Sequence, residues 1–236
     1  MLNIIKISLV AGLVSLAAAA PVSGGKTITV NNNCGKTVTL GWLTNGQSND
    51  QTTLLDLNAG ASHSISPGNN WGGRVWARDQ CSHTDMTQCG TSGAVSPATL
   101  AEFLFSGSGN QDYYDVSLVD GFNLAMNIVP NGGSSSGGDK YHCGTPSATS
   151  FPSCPAANQV KDNSGNVVGC KSACSQSGSA QDCCTGEYNS PQTCTANAFA
   201  KLCKQDAPTA YSYAYDDATS TFACDASSYT VNLCPS

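Results

Sequence analysis

Thirteen cysteines, all between Cys34 and Cys234, constrain this chain of 236 residues more than any other feature. Thiols at that density belong to an oxidising compartment, so disulfides are the leading reading. An odd count allows at most six bridges and leaves one thiol over. Zinc fits poorly, because no Cys-x-x-Cys pair occurs and only three histidines, His63, His83 and His142, are present. Cys34 stands alone, Cys81 and Cys89 close a short loop, eight cysteines crowd from Cys143 to Cys203, and Cys224 and Cys234 lie near the end. Crowding of that kind marks a small, loop-rich lobe that is stapled because it buries too little apolar surface.

The first twenty residues read as a secretory signal peptide, with Lys6, an apolar run over 7–16 and then small alanines. The run is too short for a membrane span, which needs about 20 residues. The expectation is a secreted protein, extracellular or in a cell wall, with no membrane partner. Ten basic residues against sixteen acidic ones give a net charge of −6, and no basic cluster is present, which excludes nucleic acid as a partner. No Asn-x-Ser/Thr sequon, Gly-x-Ser-x-Gly elbow or phosphate-binding loop occurs; GGSSSGG (132–138) lacks the lysine of a P-loop. No metal and no cofactor is expected.

Alternating, β-branched segments dominate the first half. KTITV (26–30) and KTVTLGWL (36–43) flank the turn NNNCG, and GRVWAR (73–78), TLAEFLF (99–105), DYYDVSLV (112–119) and FNLAMNIV (122–129) follow as further strands. A helix is expected around 193–203, with strands at 211–215 and 229–233. The fold class is mostly β: a flattened antiparallel β-sandwich with a small disulfide-rich lobe containing short helices. The expected organisation is a signal peptide at 1–20, a sandwich core at 21–142, the disulfide-rich lobe at 143–203 and return strands at 204–236.

Only two glutamates exist, Glu102 and Glu187, and Glu102 sits inside the apolar run TLAEFLF. Asp112, Asp115 and Asp120 follow within eighteen residues. A carboxylate among apolar neighbours costs free energy unless a cation or hydrogen bonds satisfy it, and Arg74 and Arg78 are the natural cations. Two readings are open at this point. The acids form a satisfied ion network, or they line a cleft in which a carboxyl pair cleaves a glycosidic bond. Tyr113, Tyr114 and Phe122 beside them are either sugar-stacking rings or core aromatics.

The segments GRVWARDQC (73–81), TLAEF (99–103), DYYDVSLVDGFNLAMNIVP (112–130), CKSACSQSGSAQDCCTG (170–186), AYSYAYDDATSTFAC (210–224) and the terminal YTVNLCPS resemble, in order, the thaumatin-like proteins, or pathogenesis-related group 5. The short loop after Cys81 and the YAYDD wording are similar to fungal members. The resemblance implies a flattened sandwich with disulfide-rich lobes and an acidic cleft, in a family whose members bind β-1,3-glucans, inhibit fungi or hydrolyse the polymer weakly. It carries the cleft arginine to Arg74, the glutamate to Glu102 and two aspartates to Asp115 and Asp120. The third aspartate, before AYSY, is replaced by Thr209, and Asp206 is the nearest substitute. It also implies the bridges Cys34–Cys234, Cys81–Cys89, Cys154–Cys170, Cys174–Cys183 and Cys184–Cys194. Cys143 is left to pair with Cys203 or Cys224, with Cys224 preferred.

The function expected on that resemblance is a secreted, monomeric endo-β-1,3-glucanase of modest activity on cell-wall glucan. Glu102 is the proton donor and Asp120 the nucleophile or base. Arg74 and Asp115 hold the pair, and Tyr113, Tyr114, Phe122 and Asp206 complete the binding groove. The alternative is a non-catalytic, antifungal glucan-binding protein, which the missing aspartate before AYSY favours.

Overall fold

The structure is a computed structural model that describes residues 25–79, 81–84, 97–133 and 139–236. The expected signal peptide and the Cys89 partner of Cys81 lie outside the described residues.

Two sheets form the sandwich. One has six strands in the order β12-β7-β6-β5-β2-β3, antiparallel throughout: β2 (Val38–Thr44), β3 (Thr53–Leu57), β5 (Gly72–Arg78), β6 (Leu100–Leu104), β7 (Asp112–Ser117) and β12 (Phe222–Cys224). The other has five in the order β4-β1-β13-β8-β9: β1 (Thr27–Asn32), β4 (Ser62–Ile65), β8 (Met126–Asn131), β9 (Ser147–Ala148) and β13 (Ser228–Leu233). Ile28, Val30, Ile128 and Val231 from one sheet meet Leu40, Val75, Phe103 and Tyr114 from the other, all buried. Period-two alternation turns alternate side chains away from that core. The outward face of the six-stranded sheet is therefore free to carry polar groups.

One pairing departs from the antiparallel pattern. β1 and β13 run parallel, with Asn32 opposite Leu233. Parallel pairing brings the two strands' ends to the same edge, where Cys34 and Cys234 are bonded with their Cα atoms 5.0 Å apart.

The cysteine-rich stretch contains the hairpin of β10 (Gln159–Lys161) and β11 (Val167–Cys170), then α1 (Ala173–Ser177) and α2 (Ala198–Asp206). The bridges Cys154–Cys170, Cys174–Cys183, Cys184–Cys194 and Cys143–Cys224 hold it, and Cys203 is free and buried. The helix expected at 193–203 starts later, because Asn197 caps it by accepting from the Ala200 amide (2.9 Å), and it runs on to Asp206. The strand expected at 211–215 does not form. Tyr211 makes a single parallel bridge to Ser117, and the chain then turns into α3 (Asp217–Ser220). Strands β3 and β4, which the sequence pattern did not reveal, are short edge elements. No helix among the described residues is long and apolar enough to cross a membrane.

Candidate functional site

The outward face of the six-stranded sheet presents a charged row. Arg74 on β5 pairs with Glu102 on β6, and Glu102 pairs in turn with Asp115 on β7. Directly opposed residues of this kind have Cβ atoms about 4.5–5.5 Å apart. An apolar row lies two residues along, where Leu104 faces Tyr113. On the other side Leu100 faces Ser117, whose side chain hydrogen-bonds Glu102.

Asp120 joins the row from a turn just beyond β7, closed by the Gly121 amide donating to Leu118 O (2.9 Å). Gly121 has φ 103°, and a Cβ there would lie 2.2 Å from Cys170 O. Only glycine allows this turn to press against β11, which is how the VDGF wording sets Asp120 at the rim of the sheet. Ser175 of α1 donates to Asp120 O (3.3 Å) and ties the turn to the disulfide-rich stretch.

Arg74, Glu102, Leu104, Tyr113, Asp115 and Asp120 line one cleft of about 400 Å³, together with Tyr211, Ala214 and Asp217. Four carboxylates thus share it with a single cation, Arg74, among the described lining residues. Burial pushes the Glu102 carboxyl above its usual range; Ser117 and Arg74 pull it down and Asp120 pushes it up. Asp115 is pushed well above its range, by burial first and then by the charges of Glu102 and Asp217. Burial also raises Asp120, against the pull of Arg74. A raised carboxyl beside another acid is the arrangement that general acid catalysis needs. Among the described residues no cluster of His, Cys, Asp or Glu is arranged to hold a metal ion.

Several expected site residues lie elsewhere. Tyr114 is fully buried between the sheets, against Tyr229 (ring centroids 5.0 Å) and Phe222 (5.9 Å), and its hydroxyl donates to Gly144 O. Phe122 stacks on Phe151 at 4.5 Å in the seam beside β11. Neither ring reaches the cleft, and Tyr113 is the one of the three that does. Arg78 is buried, donates to Pro97 O (2.8 Å), is lowered to about 10 by burial and does not line the cleft. Asp206 ends α2 on the surface and is not a cleft residue, so it does not replace the missing aspartate. Thr209 spends its hydroxyl on the Ser147 backbone, 3.0 Å to N and 3.2 Å to O.

The residue that fills out the acidic set is Asp217, which sequence reasoning missed. Its signal was the Asp-Asp pair of AYSYAYDD, hidden by assigning the preceding tyrosines to a strand.

The thaumatin family profile matches residues 32–235. A thaumatin-like protein 1a of Malus domestica is 42% identical over 226 residues, 88% of this chain and 89% of that protein. A protein of Prunus avium named glucan endo-1,3-beta-glucosidase is 40% identical over 226 residues, 89% of this chain and 90% of its own length. Both are plant proteins, which lends no support to the fungal wording. Among solved structures, a laminaripentaose-producing beta-1,3-glucanase of glycoside hydrolase family 64 from Paenibacillus barengoltzii, complexed with laminarihexaose, superposes with a TM-score of 0.52. It is 14% identical, over 94% of this chain and 78% of that one, a likeness of fold.

Proposed function

The chain belongs to the thaumatin family, and from that premise we propose that it is a secreted endo-β-1,3-glucanase of modest activity whose acidic cleft binds and cleaves cell-wall β-1,3-glucan. The observation that carries this is the row Arg74–Glu102–Asp115 across three adjacent strands, with Asp120 at its end. The glucanase name of the Prunus avium relative supports the substrate class.

In this reading Glu102 holds its proton above the usual carboxylate range and gives it to the glycosidic oxygen as the bond to the anomeric carbon breaks. Asp120 stabilises the positive charge that develops on the sugar, as nucleophile or by activating water, and one water is consumed per bond cleaved. Arg74 lowers both carboxyls from beside them and so keeps part of the set ionised. Leu104 and Tyr113 offer an apolar shelf for the face of a sugar ring.

Glu102→Gln is expected to cut the release of reducing ends from linear β-1,3-glucan by about 10²–10⁴-fold. Release at the wild-type rate overturns the assignment of Glu102. The second reading, a binding protein without turnover, is favoured by the loss of the aspartate at Thr209. It predicts retention on insoluble glucan with no soluble product.

A further inference from the structure

Hydrolysis as proposed employs Glu102 and Asp120 and leaves Asp217 without a part. Asp217 is exposed, yet its carboxylate is tethered. The Tyr211 hydroxyl donates to its Oδ1 (3.0 Å) and meets Thr221 Oγ1 (2.5 Å). Tyr211 is itself laced to the strand that carries Asp115, its amide donating to Val116 O (2.9 Å) and its carbonyl accepting from Leu118 N (2.8 Å). The residue before Asp217 is anchored as well. Asp216 accepts from Ser212 N and Oγ (2.9 and 2.8 Å) and pairs with Lys204 (3.3 Å).

Asp115 is surrounded by acids. Glu102 stands opposite it on β6, Asp217 comes from α3, and Asp120 lies beyond the end of its own strand. Tyr113 and Tyr211 also line the cleft, and burial pushes the Tyr211 phenol above its usual range, so it stays neutral. The one cleft cation, Arg74, is a strand further away, across from Glu102. Ser117 gives its side-chain hydrogen bond to Glu102. Asp115 Oδ1 is buried and has no hydrogen-bond partner among the described residues. An ionised carboxylate in that position would have no cation beside it and no donor for its Oδ1.

We propose that Asp217, fixed by Tyr211, is a positioning residue that keeps Asp115 as a neutral carboxylic acid, so that Asp115 meets the sugar as a hydrogen-bond donor. The donor role rests on the glucan-cleft reading; the coupling of the two aspartates does not. The direction in which burial, Glu102 and Asp217 move Asp115 agrees with it. A neutral acid donates its proton to a sugar hydroxyl oxygen, which an ionised carboxylate cannot do.

The test is carbon NMR titration of the intact protein with its aspartate carboxyls labelled. Asp115 is expected to titrate well above the exposed Asp162. In Asp217→Asn its midpoint is expected to fall by about 1 pH unit, while Asp217→Glu keeps it high and Asp162 does not move in either. In the same proteins, retention on insoluble β-1,3-glucan is expected to fail at lower pH in Asp217→Asn than in the wild type, following the Asp115 midpoint. An Asp115 that is ionised at neutral pH, or a midpoint unmoved by Asp217→Asn in a protein with native chemical-shift dispersion, overturns the inference. A shifted midpoint with no glucan retained by any of the proteins upholds the coupling and overturns the donor role together with the glucan reading.

Discussion

Glu102 and Asp115 stand directly opposite each other on β6 and β7, with burial pushing both carboxyls above their ordinary range. Such groups oppose folding once they ionise. Their protons are bound more tightly in the folded state, so stability falls as pH rises from the unfolded values, 4.5 for Glu102 and 3.8 for Asp115, through the higher folded ones. Asp56 and Asp182 act in the opposite sense. At Asp56 burial is outweighed by hydrogen bonds from His83 and Thr39, and at Asp182 the Ser177 hydroxyl leads. These two lowered acids add stability above 3.8 that is lost as pH falls through their folded values. The melting temperature is therefore expected to peak in mild acid and decline toward neutral pH. Glu102→Gln should flatten the decline and melt higher than wild type at pH 7, while lowering the proposed glucan cleavage. A melting curve unchanged by the substitution at neutral pH would contradict the buried-acid account.

Another buried acid has a cation directly against it. Asp112 is fully buried, yet it receives Lys26 Nζ (2.6 Å), Tyr229 Oη (2.8 Å) and the Ser106 amide (3.0 Å). Removing one partner of such a pair leaves an uncompensated charge, which costs about 3–5 kcal/mol. Lys26→Met is expected to lose that much in urea unfolding. Lys26→Met combined with Asp112→Asn is expected to recover part of it, because no charge is then left unpaired. Equal losses in the single and double variants would show that the lysine contributes by packing alone.

The contrast between these acids bears on how much of the site could be read from residue order. Period-two alternation in DYYDVSLV placed Tyr113, Asp115 and Ser117 on one face, and the structure keeps them together in the cleft. The same alternation turns Tyr114 inward, so it and Tyr113 cannot both serve a surface groove. Phe122 escaped that rule because the Gly121 turn resets the chain's direction. The Asp-Asp pair marks Asp217 only as an acid, because its place in the cleft depends on Tyr211 docking to β7, a contact between segments about a hundred residues apart. The parallel pairing of β1 with β13 was hidden for the same reason, since each strand alone carries only a β pattern. Four of the five bridges within the described residues are pairings that the family resemblance implied, and the fifth, Cys143–Cys224, is the preferred one of the two that it left open.

The Cys34–Cys234 bridge closes a loop with a sequence separation of 200 and locks the ends of that parallel pair. In the chain-entropy account a closure of this length stabilises by about 5 kcal/mol, and removing a native bridge commonly costs about 2–5 kcal/mol. Cys34→Ala with Cys234→Ala is expected to lower the unfolding free energy by an amount in that range. Cys174→Ala with Cys183→Ala, whose separation is 9, should cost less, since loop entropy grows with length. Denaturant midpoints of the two double variants give the comparison directly. A greater loss from the short bridge would mean that local packing, not loop closure, sets its contribution.

Cys203 is the thiol that thirteen cysteines leave over among the described residues. It lies on α2 against a crevice lined by Leu118, Phe122 and Phe199, only about 30 Å³ in volume. Burial and the nearby Asp206 charge push its thiol up to about 12, so almost no thiolate exists near neutral pH. A thiol reagent at pH 8 is therefore expected to leave the native protein unlabelled and to label one cysteine once denaturant opens the fold with the disulfides intact. Labelling should follow the same denaturant midpoint as global unfolding, because the thiol becomes accessible only when α2 leaves the sandwich. Cys203→Ala is expected to abolish that label and to cost about 1 kcal/mol, the loss of one small buried group. Rapid labelling of the folded wild type would show instead that α2 opens locally, well below the global transition.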